Sequence, residues 1–167
     1  GVYKSTASLH FAQYMALQGY KVLFVDTDSQ ATSTQFFGII PDNDEQELST
    51  IAKFLTGEVS TLAGSILKTS WEGLDIIPAN LGLYEAEITV PMRAASGSLN
   101  RQFYTMLKDG IETVKNDYDL IVIDAPPSLG IISMNVVYAA DGLVIPVPPL
   151  FADFSSTLEF FAMLRDV

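Results

Sequence analysis

The first six residues carry the side-chain types that phosphate chemistry requires: Gly1-Val2-Tyr3-Lys4-Ser5-Thr6, directly before a helical pattern. In a phosphate loop, lysine neutralises the β- and γ-phosphates, the following hydroxyl binds Mg²⁺, and glycine lets the backbone approach the phosphates. Backbone N–H groups at a helix start also favour an anion. Lys4 and Ser5 fit this pattern, whereas Tyr3 stands where such loops usually carry glycine. A plain helix start is the alternative interpretation.

Three aspartates follow apolar runs that are typical of buried strands. Asp26 and Asp28 follow the run that ends at Val25, and Asp124 ends a later run. Ligands of open parallel sheets bind at the carboxyl ends of the strands. Asp124, with residues 125–128 behind it, has the form of a magnesium-associated aspartate followed by a switch loop. Solvated turn residues are the alternative, but the ordered set of a phosphate loop and two acidic strand ends favours nucleotide chemistry.

The elements that must position these residues alternate between strands and helices. Continuous apolar runs predict strands buried on both faces; they cover residues 21–26, 74–77, 120–123 and 143–147. Helical spacing predicts a first helix over residues 5–18, ended by Gly19, and another from Leu99 to Val114. Strands that alternate with helices predict an α/β fold with a doubly wound, mostly parallel sheet.

Two further segments have clear local signals. The polar, acidic stretch at residues 38–50 predicts a surface loop, and a short helix should follow it and end near Gly57. Ser156 and Glu159 form a capping-box pattern that predicts a helix starting near Thr157. The chain begins and ends inside such elements, so we expect residues 1–167 to be a single domain that is truncated at both ends.

Composition excludes several classes of function. The 167 residues include 9 Lys and Arg, 20 Asp and Glu, and no Cys, for a net charge of −11. A surface with this much negative charge repels nucleic acid and anionic lipid. The absence of cysteine excludes disulfides, thiolate metal sites and cysteine nucleophiles. The sequence has neither a membrane-spanning run nor a signal-peptide pattern. These features predict a cytoplasmic protein that does not bind membranes.

Taken together, the motifs resemble those of the deviant Walker A ATPases of the ParA/MinD group, and most closely the plasmid-partition ParA and RepA proteins. The family's loop reads KGGxxKST or KGGxGKTT, so Gly1 would be its second glycine. Residues 26–32 (DTDSQAT) match DxDxQ, and residues 124–130 (DAPPSLG) match DxPPSLG. Residues 139–141 (AAD) precede an apolar run, as they do in the family. The resemblance covers nearly the whole chain and implies the P-loop NTPase fold.

The resemblance also implies roles for individual residues. Lys4 would contact the phosphates of ATP, Ser5 would bind Mg²⁺, and Thr6 would be a further phosphate contact within the loop of residues 1–6. Asp28 would orient the attacking water, Asp26 would lie in the outer shell of the Mg²⁺, and Asp124 would be the Walker B carboxylate. The family's signature lysine would lie two residues before Gly1.

For function, the resemblance implies a slow ATPase switch for plasmid or chromosome partition. ATP would drive homodimerisation and non-specific DNA binding through segments outside this acidic chain, with association with the nucleoid, and a ParB-like partner would stimulate turnover. A MinD-like regulator of division-site placement and a non-hydrolysing, nucleotide-dependent interaction module are the alternatives. A dinucleotide oxidoreductase is disfavoured, because no G-x-G-x-x-G follows the first strand.

Overall fold

A four-stranded sheet with helices on both faces forms the framework. The computed structural model describes residues 3–41, 48–97 and 102–147, with Leu158, Phe161 and Ala162. The strands are β1 (Val22–Asp26), β2 (Leu67–Lys68), β3 (Leu74–Ile77) and β4 (Leu120–Asp124). The helices are α1 (Lys4–Leu17), α2 (Thr32–Phe36), α3 (Ile51–Thr56), α4 (Gly82–Ala95), α5 (Met106–Glu112) and α6 (Ile131–Ala139).

The strands are arranged in the order β2-β3-β1-β4. β1 pairs in parallel with β3 on one side and with β4 on the other, and the short β2 adds an antiparallel edge. Every residue of β1 is buried, as expected for the central strand of a sheet that is covered on both faces. The predicted doubly wound, mostly parallel α/β fold is thus confirmed.

Two hydrophobic clusters cover the two faces of the sheet. Alternate β1 residues divide between them: Leu23 and Val25 pack in the larger cluster with α3 to α6, and Val22 and Phe24 pack in the smaller one with α1. The predicted first helix corresponds to α1, and Gly19 follows its end with φ +91°. Of the helices within the described residues, none is both long and apolar enough to cross a membrane.

The direction of α1 fixes where the lysine-bearing segment lies. α1 packs against β1 and β4, and residues 18–21 connect its end to the start of β1. A 14-residue helix is about 21 Å long and a five-residue strand about 17 Å, so each runs the length of the sheet. Because α1 ends where β1 begins, α1 starts at the edge where β1 ends. Lys4 therefore lies at the same edge of the sheet as Asp26.

The helix predicted from Leu99 to Val114 is shorter than expected. Leu99 lies outside the described residues, residues 102–105 form a turn, and α5 begins only at Met106. The buried Asn135 side chain of α6 donates to the Phe103 carbonyl at 2.9 Å and accepts from the Leu107 N–H at 3.0 Å. These two backbone groups would pair with each other in a continuous helix. Asn135 replaces that bond, so the helix cannot extend back through Phe103.

The strand predicted over residues 143–147 is wrong. These residues form no strand, and Val144 is 94% exposed. A strand needs a hydrogen-bonded neighbour, and among the described residues no pairing involves this run. Apolar composition alone therefore does not place the run in the sheet.

The remaining local predictions are confirmed in part. The short helix after the acidic stretch is α3, and Gly57 ends it with φ +82°. Residues 42–47 of the predicted loop lie outside the described residues, as do Ser156, Thr157 and Glu159 of the predicted capping box. Leu158, Phe161 and Ala162 are helical.

Candidate functional site

Two aspartates end neighbouring parallel strands at the same level of the sheet. Asp26 of β1 is in register with Asp124 of β4, and both are almost fully buried, at 0% and 2% exposure. The backbone beyond them is joined, because the Thr27 N–H and hydroxyl both donate to the Asp124 carbonyl, at 3.1 and 2.6 Å. The structure thus brings together two acids that are 98 positions apart in the sequence.

Asp26 is held by hydrogen bonds from the segment that follows it. Its Oδ2 accepts from the backbone N–H and hydroxyl of Thr34, at 2.9 and 2.7 Å, and its Oδ1 accepts from the Asp28 N–H at 3.1 Å. Burial raises the pKa of Asp26 from 3.8 to about 6, and repulsion by Asp124 adds to the rise, against the opposing effect of these hydrogen bonds. The charged form is therefore costly, and a nearby cation would favour it.

Asp124 is also bonded to a hydroxyl residue of α2. Its Oδ2 accepts from the Ser33 hydroxyl at 2.8 Å. Among the described residues, no Lys or Arg forms an ion pair with Asp124 or Asp26. The described part of the chain also has no cluster of three or more His, Asp or Glu residues able to hold a metal. Two carboxylates and adjacent hydroxyls are the donors that suit Mg²⁺, which commonly takes one or two carboxylates and completes its shell with water and phosphate oxygens.

Asp28 lies in the turn between β1 and α2. It is half-buried, its Oδ1 accepts from the Gln30 N–H at 3.0 Å, and its carbonyl accepts from the Ala31 N–H at 2.9 Å. The side chain thus stabilises its own turn next to the carboxylate pair. Its predicted role in orienting water stays a prediction.

The lysine-bearing segment starts α1 at this edge. Lys4 and Ser5 are half-buried and Thr6 is exposed, whereas Gly1 and Val2 lie outside the described residues. Tyr3 precedes the helix with φ 60° and ψ 25°, in the left-handed region, and its side chain is 79% exposed. That conformation favours glycine, the residue that phosphate loops usually carry before the lysine. The place of Tyr3 in a phosphate loop stays a prediction.

Backbone strain is concentrated at this edge of the sheet. Within the described residues, only Tyr3 and Ala31 have a positive φ without being glycine. Tyr3 precedes α1 and Ala31 precedes α2. Each such residue costs of the order of 1 kcal/mol, and strain of this kind is typical of functional sites.

Sequence analysis missed the residues that support the carboxylates. Ser33 donates to Asp124 and Thr34 donates to Asp26, and Ala79, two residues after β3, donates its N–H to the Thr34 hydroxyl at 3.0 Å. The available signal was the run of hydroxyl residues 32–34 after the acidic turn. Which hydroxyl meets which carboxylate depends on how α2 folds back over the strand ends.

Comparison with known proteins identifies the family of the chain. A family model described as an AAA domain matches residues 1–160. Protein SopA of Escherichia coli K12 is 44% identical over 168 residues, and the chromosome partitioning protein ParA of Caulobacter vibrioides NA1000 is 31% identical over 165 residues. The chain belongs to the ParA/MinD family. The matches cover 100% and 98% of this ParA/MinD-family chain but only 43% of SopA and 54% of ParA.

A solved structure supports the same fold. Cobyrinic acid a,c-diamide synthase from Mycobacterium smegmatis, with bound ATP analog and magnesium, matches with a TM-score of 0.82 and 29% identity. The match covers 100% of this chain and 65% of that protein. Over the described residues, the ParA/MinD-family chain therefore shares the fold of that synthase.

Proposed function

We propose that this chain binds ATP and Mg²⁺ at the edge formed by the start of α1 and the ends of β1 and β4. The observation that carries the proposal is the buried Asp26–Asp124 pair, which lacks a cationic partner among the described residues and lies at the same edge as Lys4. The solved relative with an ATP analog and magnesium supports the same ligands.

The residues divide the work by their chemistry. Lys4 offsets phosphate charge, and the backbone of residues 1–6 contributes N–H groups to the phosphates. Ser5 and Asp124 would hold the Mg²⁺, and Asp26, fixed by Thr34, would lie in its outer shell. Bound Mg²⁺ neutralises the charge that develops on the phosphate oxygens. Asp28 orients the attacking water. Asp26 holds the Asp28 backbone in place by accepting a hydrogen bond from the Asp28 N–H.

We further propose that slow hydrolysis makes the protein a switch for plasmid or chromosome partition. The name of the Caulobacter relative, a chromosome partitioning protein, supports this role. In the proposed switch, ATP drives homodimerisation and non-specific DNA binding. A ParB-like partner stimulates ATP turnover. With a net charge of −11 in this chain, the DNA-binding surface lies in segments outside it. The protein then acts in the cytoplasm, on the nucleoid in its ATP state.

The substitution Asp28→Ala tests hydrolysis separately from binding. The variant should bind ATP with unchanged affinity but lose turnover. In the proposed mechanism, the Asp28 carboxylate contacts the attacking water and not the phosphates. The measurements are ATP affinity by calorimetry and phosphate release with and without the partner. A wild-type protein that binds ATP but shows no partner-stimulated turnover would favour the non-hydrolysing interaction module.

DNA binding by the full-length protein tests the partition role. Binding to random-sequence duplex DNA at one fixed salt concentration should require ATP·Mg²⁺ and be absent with ADP·Mg²⁺. Absence of DNA binding in both states would refute the partition switch. It would favour a MinD-like, membrane-directed function instead, and binding to anionic lipid vesicles would test that alternative.

A further inference from the structure

A carboxylate of α4 caps the helix that follows the Asp124 strand. Glu87 Oε2 accepts from the Ile131 N–H at 2.8 Å, and its Oε1 accepts from the Ile132 N–H at 3.3 Å. Helix starts leave such N–H groups without partners, and a local Ser, Thr, Asp or Asn normally supplies one. Here the cap position is Gly130, which has no side chain. Glu87 therefore supplies from another helix the cap that the local sequence lacks.

This cap holds one end of the β4–α6 loop, residues 125–130. The loop leaves the sheet at Asp124, whose position is fixed by β-pairing with Asp26, and it enters α6 at Gly130. Within α6, the Ser133 hydroxyl donates to the Ser128 carbonyl. The loop is thus fixed by the sheet at its start and by α4 and α6 at its end.

Gly130 is shaped to this contact. A Cβ at position 130 would lie 2.5 and 2.6 Å from the two Glu87 carboxylate oxygens, well inside van der Waals distance. Its φ of −127° and ψ of −165° are extended values that any residue can adopt. The glycine therefore leaves space for the carboxylate, which a Cβ would force to move from its place against the Ile131 and Ile132 amides, and its backbone conformation does not require glycine.

The same helix also contacts the other loop of the site. Tyr84, three residues before Glu87, accepts a hydrogen bond at its hydroxyl from Gln30 Nε2 at 2.8 Å. Gln30 lies in the β1–α2 turn that contains Asp28. One helix therefore contacts the segments that follow both acidic strand ends.

We propose that Glu87 is a positioning residue that fixes the β4–α6 loop behind Asp124. It touches neither nucleotide nor metal and acts through the backbone at Gly130 and Ile131. Its effect on catalysis rests on the function proposed above, in which this loop borders the ATP site. Its effect on the loop itself is independent of that function.

A double-mutant cycle tests the contact. Glu87→Ala and Gly130→Ala should each increase hydrogen exchange at the Ile131 and Ile132 amides by about tenfold, since each removes the same charge-assisted bonds. Combined, they should again give about tenfold and not a hundredfold, because the three atoms nearest to a Cβ at position 130 all belong to the Glu87 carboxyl group. Glu85→Ala, an exposed glutamate on the same helix, is the matched control and should leave both amides unchanged.

Kinetics of the full-length protein separate positioning from simple structural support. Glu87→Ala should lower kcat for ATP hydrolysis roughly fivefold and change the ATP dissociation constant less than twofold. Glu87→Gln, which keeps one acceptor oxygen, should restore part of kcat, and Glu85→Ala should match the wild type.

The outcomes distinguish the two proposals. Multiplicative exchange effects in the cycle, or unchanged exchange in Glu87→Ala, would overturn the positioning role whatever the ATPase activity. A wild-type kcat in Glu87→Ala would also overturn it. A wild-type protein that hydrolyses no ATP would instead refute the proposed function, and the exchange cycle, which needs no nucleotide, would still decide whether Glu87 fixes the loop.

Discussion

Buried carboxylates occur at two places in the same sheet, a single one at Asp75 and a pair at Asp26 and Asp124, and their partners differ. Asp75 of β3 lies directly across from Lys68 of β2, with a 2.7 Å ion pair, and it accepts from the Tyr118 hydroxyl at 2.8 Å. Burial, with the Asp75 bond adding to it, raises the pKa of Tyr118 well above its usual value, so the phenol stays protonated and donates. Asp26 and Asp124 receive only hydroxyl and amide donors from the described residues.

We propose that the difference separates a structural carboxylate from a ligand-binding one. The fold supplies the counter-charge for Asp75 from within the chain. At the Asp26–Asp124 pair it supplies hydrogen bonds that orient the carboxylates but no positive charge to neutralise them. Buried charges are stable when they are paired or coordinate a metal. We infer that the pair is completed by a cation from solution.

The largest expected effect concerns the lysine of each region. Lys4→Ala should weaken ATP binding about a hundredfold, because the phosphates lose a charged partner. Lys68→Ala, whose side chain is 86% exposed, should change ATP affinity less than about twofold. Isothermal titration calorimetry measures both. Equal affinities in the two variants would remove Lys4 from the phosphate site and end the distinction between the regions.

A smaller effect of opposite sign in the two regions is expected for stability. Without Mg²⁺, the folded protein holds the Asp26 proton more tightly than the unfolded chain does, because its pKa is raised. The stabilisation that results is complete below about pH 4 and is lost as the pH rises through about 6. The loss corresponds to about 3 kcal/mol. Asp26→Asn avoids it but loses the bond from Asp28, so it should raise the free energy of unfolding by about 1–2 kcal/mol at pH 7.5.

Asp75→Asn is the matched substitution, and it should lower stability by about 1 kcal/mol because it breaks the Lys68 pair. Chemical denaturation in EDTA between pH 4 and 8 measures both variants, and the wild-type dependence between pH 4 and 6 should flatten only in Asp26→Asn. Destabilisation of the metal-free protein by both substitutions would show that Asp26 is as well compensated as Asp75.

The smallest effect concerns strain next to Lys4. Tyr3→Gly should raise the free energy of unfolding by about 0.5–1 kcal/mol, because glycine adopts the left-handed conformation without steric cost. Tyr3→Ala, which removes the exposed ring but keeps a Cβ, should not stabilise. Thermal unfolding measures both. If the two variants are equally stable, the left-handed conformation of Tyr3 carries no strain.

Sequence patterns predicted the elements that have local causes. The uninterrupted apolar run before Asp26 predicts β1 because a strand covered on both faces has no polar side, and the spacing of Leu9, Ala12 and Ala16 predicts α1. The acids at the site were predictable because strand ends in parallel sheets meet at one edge.

What sequence patterns missed depends on contacts between distant segments. The side chain of Asn135 accepts a hydrogen bond from Leu107, which lies 28 residues earlier in the chain, and this bond stops the helix predicted before Leu107. The spacing of apolar residues gives no sign of such a bond. Residues 143–147 have strand composition but no partner among the described strands. The bonds from Ser33 and Thr34, and the Glu87 cap on α6, likewise follow from packing and not from spacing.

The Mg²⁺ dependence of ATP affinity tests most directly whether the Asp26–Asp124 pair is the magnesium side of the nucleotide site. Calorimetric titration of ATP with Mg²⁺ or EDTA compares the wild type, Asp124→Asn and the control Asp75→Asn. Mg²⁺ should strengthen ATP binding at least about tenfold in the wild type and in Asp75→Asn, and hardly at all in Asp124→Asn. Equal strengthening in all three proteins would contradict a magnesium site at this pair.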